Sequence, residues 1–151
     1  MKWCAKDIER FLVEKQYIDT MIIPLIPISW EKGMVPIVRE GEYVQILVEE
    51  LERQLKGRVV LSPPFTYLKS EALEERFKRL NLWKESITSG GGKYVYFVTA
   101  DVDWKAVEKD VNRLIWLPAV PLEHMDEGPR NDFIAESIGS LIKTLTQEWA
   151  S

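Results

Sequence analysis

The stretch that decides the fold is KYVYFVT, residues 93–99. Its five central residues are aromatic or β-branched, which favours a buried strand. Gly90, Gly91 and Gly92 precede it as a flexible turn, and an acid, Asp101, follows it closely. Segments with the spacing of amphipathic helices flank it in the chain, which indicates a strand between two helices.

The same alternation of strand and helix occurs four times. The other predicted strands are Met21–Ile28, Arg58–Ser62 and Arg113–Val120. Amphipathic spacing predicts helices from about Ala5 to Tyr17, Arg39 to Lys56, an N-cap at Ser70 to a point before Ser89, Trp104 to Asp110, and Asp132 to Trp149. This pattern predicts an α/β fold. With right-handed crossovers, we expect a single three-layer α/β/α domain over residues 1–151, with four mostly parallel strands in the order 2-1-3-4.

Two prolines interrupt the first predicted strand. Proline lacks the N–H that a ladder needs, so it belongs at strand ends, at edges or at bulges. We therefore predict that Met21–Ile26 is the paired part and that Pro27 turns the chain out of the sheet. In a central strand, Pro24 requires a bulge, or a partner carbonyl that bonds to water instead.

Composition limits the possible functions. The net charge of −4, the pI near 5.2 and the absence of a basic stripe argue against nucleic-acid binding. No apolar run approaches the roughly 20 residues that span a bilayer, and the charged start at Met1–Asp7 lacks a signal-peptide core. A lone cysteine, Cys4, fits a reducing compartment, so we expect a cytoplasmic protein. The single histidine excludes mechanisms that need two.

The expected position of a site follows from the fold, because ligands of parallel sheets bind beyond the carboxyl ends of the strands. The polar and aromatic side chains predicted for this rim are Trp30, Glu31, Ser62, Thr66, Thr99, Asp101, Asp103, Glu123 and His124. Carboxylates with one imidazole can hold a divalent ion. The alternative is that Asp101 or Asp103 caps the next helix, and that Trp30 and Trp104 cover the ends of the sheet.

No catalytic motif is complete. Gly90–Lys93 precedes a strand and is followed by Tyr94, unlike a phosphate-binding loop. No Gly-x-Ser-x-Gly elbow is present. We therefore predict no catalytic residues, no cofactor and no bound metal.

Several segments together resemble the YpiF-type family of small uncharacterised bacterial proteins. They are Met1–Trp3, Tyr17–Thr20, Ile23–Leu25, Leu51–Arg58 and Pro64–Lys69. The resemblance covers nearly the whole chain and implies no established activity.

A second, partial resemblance involves Pro27–Gly33 and Val60–Pro64, which are similar to the start of creatininase-type amidohydrolases. That family has a Glu-x-His-Gly motif after its first strand and binds two metal ions. Glu31 matches the glutamate, but the histidine is missing, and Thr99–Asp103 replaces a later glycine- and histidine-rich stretch. The resemblance implies a related scaffold that has lost its metal site.

Three functional hypotheses remain open. The first is a non-catalytic interaction or adaptor domain that binds an unknown protein partner or self-associates through an edge strand or the last helix. The second is a small-molecule-binding domain that uses the strand-end rim. The third is a diverged creatininase-like hydrolase without its dinuclear metal site.

Overall fold

The longest strand, Thr20–Ile28 (β1), lies at the centre of a five-stranded parallel sheet and pairs with three other strands. The computed structural model describes residues 1–151. The other elements, in chain order, are α1 (Ala5–Val13), which precedes β1, then α2 (Met34–Gln54), β2 (Val59–Leu61), β3 (Phe65–Leu68), α3 (Leu73–Ser89), β4 (Tyr94–Thr99), a 3-10 helix (Val102–Val107), β5 (Leu114–Trp116), a short 3-10 turn (Leu122–His124) and α4 (Glu127–Trp149).

The strand order is β2-β1-β4-β5, which is the predicted order 2-1-3-4. The α/β prediction is therefore confirmed, with one addition. β3 was not predicted, and it pairs with the second half of β1 after β2 has paired with the first half. The segment between them, Ser62-Pro63-Pro64, interrupts the pairing.

The prediction that β1 stops pairing at Ile26 is wrong, because Pro27 and Ile28 pair with β3. Ser62 and Lys69 donate their N–H groups to the carbonyls of Ile22 and Ile28, so even-numbered residues of β1 direct their backbone groups towards β2 and β3. The nitrogen of Pro24 faces the gap between those two strands. The nitrogen of Pro27 faces the β4 side beyond the last β4 pair. Neither proline therefore removes a ladder hydrogen bond.

Four predicted helix starts are wrong, and one of them is that of the 3-10 helix, which begins at Val102 instead of Trp104. α2 begins at Met34 instead of Arg39, and α4 begins at Glu127 instead of Asp132. Each includes a proline, Pro36 or Pro129, in its first turn, where a backbone N–H has no partner inside the helix. α3 begins after Ala72, and its cap is not Ser70.

Each face of the sheet has its own apolar core. α2 and α4 cover one face, and Ile22, Val44, Leu47, Tyr96 and Leu141 are representative members of its core. The other core lies under α3 and includes Ile23, Phe65, Leu80, Phe97 and Trp104. α1 contributes no buried residue to either core. None of the helices has the length and apolar character required to cross a membrane.

Candidate functional site

The carboxyl end of the sheet contains one buried polar network, centred on the fully buried Asp101. The Tyr67 hydroxyl donates to Asp101 Oδ2 at 2.6 Å, and Lys69 Nζ donates to Oδ1 at 2.6 Å. The backbone N–H of Asp103 also donates to Oδ1, at 2.9 Å, so Asp101 caps the 3-10 helix that follows. Arg76 Nη1 lies 3.5 Å from Oδ2. Of the two aspartates that the sequence offered as the cap of this helix, Asp101 is the cap and Asp103 is not.

Aromatic side chains enclose this network. The indole N–H of Trp104 donates to the Tyr67 hydroxyl at 2.9 Å, and the two rings meet edge to face. Arg76 is buried and stacks on Tyr67, with its guanidinium carbon 4.5 Å from the ring centroid. Burial and the hydrogen bond to Asp101 raise the pKa of the Tyr67 hydroxyl far above its usual value. Tyr67 therefore remains a neutral donor.

Asp103 forms the outer part of the network. Its Oδ2 lies 3.0 Å from Lys69 Nζ and 3.2 Å from Arg76 Nη1. Partial burial alone would raise the pKa of Asp103, but bonds to Lys69 and Arg76 outweigh it, and the pKa lies below the usual value. Partial burial opposes the charge of Lys69, but the two aspartates raise the pKa of its ammonium. The negative charges of the two aspartates and the positive charges of Lys69 and Arg76 thus neutralise one another.

Glu40, on the second turn of α2, is a member of this site that the sequence analysis missed. Burial, and then the charges of Asp101 and Asp103, raise its pKa from 4.5 to about 7, against the opposing effect of Lys69. Its Oε2 atom is buried and has no hydrogen-bond partner. Arg39 and Glu42, close to it on α2, are charged and are half-buried and exposed, so the sequence pattern did not distinguish Glu40 from the solvent-facing side of the helix.

The structure brings three of the nine predicted rim residues together. The Thr99 hydroxyl accepts the N–H of Asp101 at 3.0 Å, next to Asp103. Glu31, Thr66 and His124 are exposed. Glu123 pairs with Arg39 at 2.9 Å, the Ser62 hydroxyl donates to the Pro63 carbonyl, and Trp30 is 83% exposed. No group of three or more His, Cys, Asp or Glu side chains has an arrangement that could hold a metal ion.

Trp30 borders an open apolar groove of about 390 Å³ between the end of β1 and α2. Ile26, Ile28 and Met34 contribute to its lining, and Glu42 supplies its one acidic side chain. We call this surface the Trp30 groove. Five of the chain's ten exposed large apolar side chains belong to segments at this end of the sheet: Trp30, Val35, Val38, Leu68 and Val102.

A second apolar cleft, of about 460 Å³, lies between α1 and α3. Trp3, Phe11, Trp83 and Ile87 contribute to its walls, and its polar side chains are the hydroxyls of Ser62 and Ser86. We call it the α1–α3 cleft. It was not predicted, because its residues are far apart in sequence and come together only when α1 and α3 lie on the same face of the sheet.

Comparison with known proteins supports the resemblance stated above. A family model described as "Protein of unknown function (DUF2487)" matches residues 9–149. The chain is 37% identical over 152 residues to "Uncharacterized protein YpiF" of Bacillus subtilis (strain 168), and the alignment covers 100% of this chain and 99% of the relative. No solved structure matches the chain.

Proposed function

The chain belongs to the DUF2487 family of proteins of unknown function, and we propose that it is a non-catalytic cytoplasmic interaction domain. In this proposal a partner protein binds at the Trp30 groove. The observation that carries it is the 83% exposure of the Trp30 side chain beside a largely apolar groove. Exposed tryptophans of this kind often supply much of the binding energy of a protein interface.

The network around Asp101 supports a non-catalytic role. Its two aspartates are bonded to Lys69 and Arg76, and these contacts join β3, β4 and the start of α3. A general acid or base must reach a substrate, but Asp101 is fully buried and Arg76 is 3% exposed. These side chains therefore have a structural role beneath the rim, where they hold the ends of the strands and α3 together.

The lining of the Trp30 groove indicates the chemistry of the partner. Its floor is aliphatic, so it suits a bulky apolar side chain. Glu42 lies at its edge, exposed and without an ion pair, and so favours a neighbouring basic residue. We expect the partner to present a short segment with an apolar anchor next to lysine or arginine.

The test is site-specific photo-crosslinking in native cells, with the photoreactive residue at Val35. This position is 62% exposed, directly follows the groove residue Met34 in the chain, and leaves the tryptophan intact. We expect one crosslinked protein species, identifiable by mass spectrometry, that disappears in Trp30→Ala. A probe at Val13, which is 85% exposed on α1, is the matched control. An adduct that survives Trp30→Ala, or none at position 35, would overturn the proposal.

A second candidate function is the binding of a small apolar ligand in the α1–α3 cleft. Its volume is within the range of ligand pockets, and its lining is mainly apolar with two hydroxyls. α1, which forms one wall, has no fully buried residue, and only its partly buried Ile8 and Phe11 pack against the core. A fluorescent fatty acid is the probe, and we expect saturable binding that Trp83→Ala weakens and Trp30→Ala does not. Equal binding by both variants would contradict this function.

A further inference from the structure

A lysine lies at one end of the α1–α3 cleft. Lys15 follows α1 in the chain and is exposed. Its Nζ lies 5.7 Å from the centre of the Phe11 ring, and Phe11 contributes to the cleft wall. A Cβ atom on Gly91 would lie 3.8 Å from Lys15 Cδ and 4.0 Å from Phe11 Cζ, and Gly91 directly follows the cleft residue Gly90. The side chain of Lys15 therefore lies beside the Gly90 end of the cleft.

The ammonium group of Lys15 is free to bind a ligand, because the acids close to it in the chain have other partners. Glu14 is bonded to Arg10 at 3.2 Å, and Asp19 is bonded to Arg58 at 3.0 Å. Lys15 itself takes part in none of the ion pairs or side-chain hydrogen bonds of the chain. A negative group at this end of the cleft would therefore meet an unpaired positive charge.

The cleft itself carries no charge. Its 12 lining residues are apolar side chains, a glycine and two serines. The Ser62 hydroxyl is already bonded to the carbonyl of Pro63, whereas Ser86 lies one helical turn before Gly90, at the same end as Lys15. A charged group inside the cleft would lose its hydration without gaining a partner. The polarity therefore suits a ligand with an apolar body and one negative group at its end.

The dimensions of the cleft indicate the shape of that body. Residues of α3 from Leu82 to Gly90 line it, so it runs about 12 Å along this helix. Its volume is about 460 Å³. A narrow apolar space of this length suits one unbranched alkyl chain of medium length.

We propose that the α1–α3 cleft binds a single-chain carboxylate, such as a medium-chain fatty acid. The carboxylate lies at Lys15, where it gains a charge-assisted hydrogen bond, and the alkyl chain lies between α1 and α3. This proposal rests on the second candidate function given above, and it adds the chemical class of the ligand and its direction in the cleft.

Isothermal titration calorimetry of the full chain with decanoate tests the proposal, and decanol is the uncharged match. Lys15→Met removes the charge and keeps an unbranched side chain against Phe11. We expect it to weaken decanoate binding about fivefold, the scale of one exposed ion pair, and to leave decanol binding unchanged. Lys15→Glu should weaken decanoate binding further and strengthen the binding of decylamine, because it reverses the charge.

Two other lysines give matched controls. Lys6 is exposed and lies on the opposite side of α1 from the cleft residue Ile8. Lys2 is exposed next to Trp3, at the far end of the cleft. Lys6→Met and Lys2→Met should both leave decanoate binding unchanged.

The outcomes separate this proposal from the function on which it rests. If decanoate and decanol both bind and Lys15→Met changes neither affinity, the cleft is a neutral pocket and the proposal is overturned. A larger loss of decanoate affinity in Lys2→Met than in Lys15→Met would overturn it as well, because the carboxylate would lie at the other end. If neither compound binds, ligand binding by the cleft and this proposal are both wrong.

Discussion

The Tyr67 hydroxyl lies between a donor and an acceptor, 2.9 Å from the indole nitrogen of Trp104 and 2.6 Å from Asp101 Oδ2. All three side chains are buried. The hydroxyl accepts a hydrogen bond from the indole and donates one to the carboxylate, so it is satisfied both as an acceptor and as a donor. This chain of bonds links β3, β4 and the 3-10 helix at the carboxyl end of the sheet.

Removal of this hydroxyl should destabilise the fold. Tyr67→Phe leaves the Trp104 N–H without its acceptor and Asp101 without one donor, and each unsatisfied buried group is costly. We expect the free energy of unfolding to fall by about 2 kcal/mol in urea denaturation. Tyr17→Phe, at an exposed tyrosine, is the control and should have no measurable effect. Equal stability of the two variants would show that the bonds contribute little.

The two aspartates of the network should differ in importance. Asp101→Asn removes a buried charge that is paired with Lys69 and Arg76, and we expect a loss of about 3 kcal/mol. Asp103→Asn, at a side chain 37% exposed, should cost less, about 1 kcal/mol. Chemical denaturation of both variants measures the difference. If Asp103→Asn were the more destabilising, Asp103 and not Asp101 would be the centre of the network.

Glu40 should make stability depend on pH. Its carboxyl has a pKa of about 7 in the folded protein and 4.5 as a free side chain, so the folded state binds the proton more tightly. The resulting stability is fully present below about pH 4.5 and is lost as the pH rises through about 7. With allowance for solvent screening, we expect the loss to be on the order of 1 kcal/mol.

Glu40→Gln tests this dependence, because the amide is neutral throughout. The variant should be more stable than the wild type above pH 7, and its stability should change less between pH 5 and pH 8, roughly the range set by the two pKa values. Glu42→Gln, an exposed position on the same helix, is the control. Parallel pH profiles for wild type and Glu40→Gln would exclude a titration of Glu40 in this range.

Gly41 permits close contact between α2 and β1. A Cβ atom there would lie 2.6 Å from Cγ2 of Ile26, which is not the end of a flexible side chain. We expect Gly41→Ala to destabilise the protein by about 2 kcal/mol, because α2 must move away. Gly139→Ala, at an open position of α4, should instead stabilise by about 0.5 kcal/mol. Thermal unfolding of both variants separates packing from helix propensity.

The strand order could be predicted because its four main strands are apolar segments bounded by clear turn residues. β3 was missed because it has only four residues, of which two are exposed, and because it directly follows Pro63 and Pro64. The start of α2 was missed because Pro36 lies in its first turn, and a proline there looks like a residue outside the helix. In both cases proline is compatible with the strand or helix at that position. This compatibility becomes clear only from the structure, from the pairing of β3 with β1 or from the first turn of α2.

The network could be predicted only in part. Asp101 and Asp103 follow a buried strand, which marked them as rim residues. No such signal marked Tyr67, Lys69 or Arg76. β3 was not recognised, and Arg76 is one of many charged residues in the sequence of α3. Contacts between residues that are far apart in the sequence decide which charged side chains become buried, so the pattern of a single segment does not show it.

The two prolines of β1 have a consequence for biosynthesis. β1 is a nine-residue apolar strand near the start of the chain, and its partner β4 is synthesised more than 60 residues later. During that interval an uninterrupted strand of this composition would be prone to intermolecular aggregation. Pro24 and Pro27 oppose such intermolecular pairing in the nascent chain, and they lie at positions where the finished sheet needs no N–H. Their replacement by valine should therefore lower the refolding yield more than the stability of the native state.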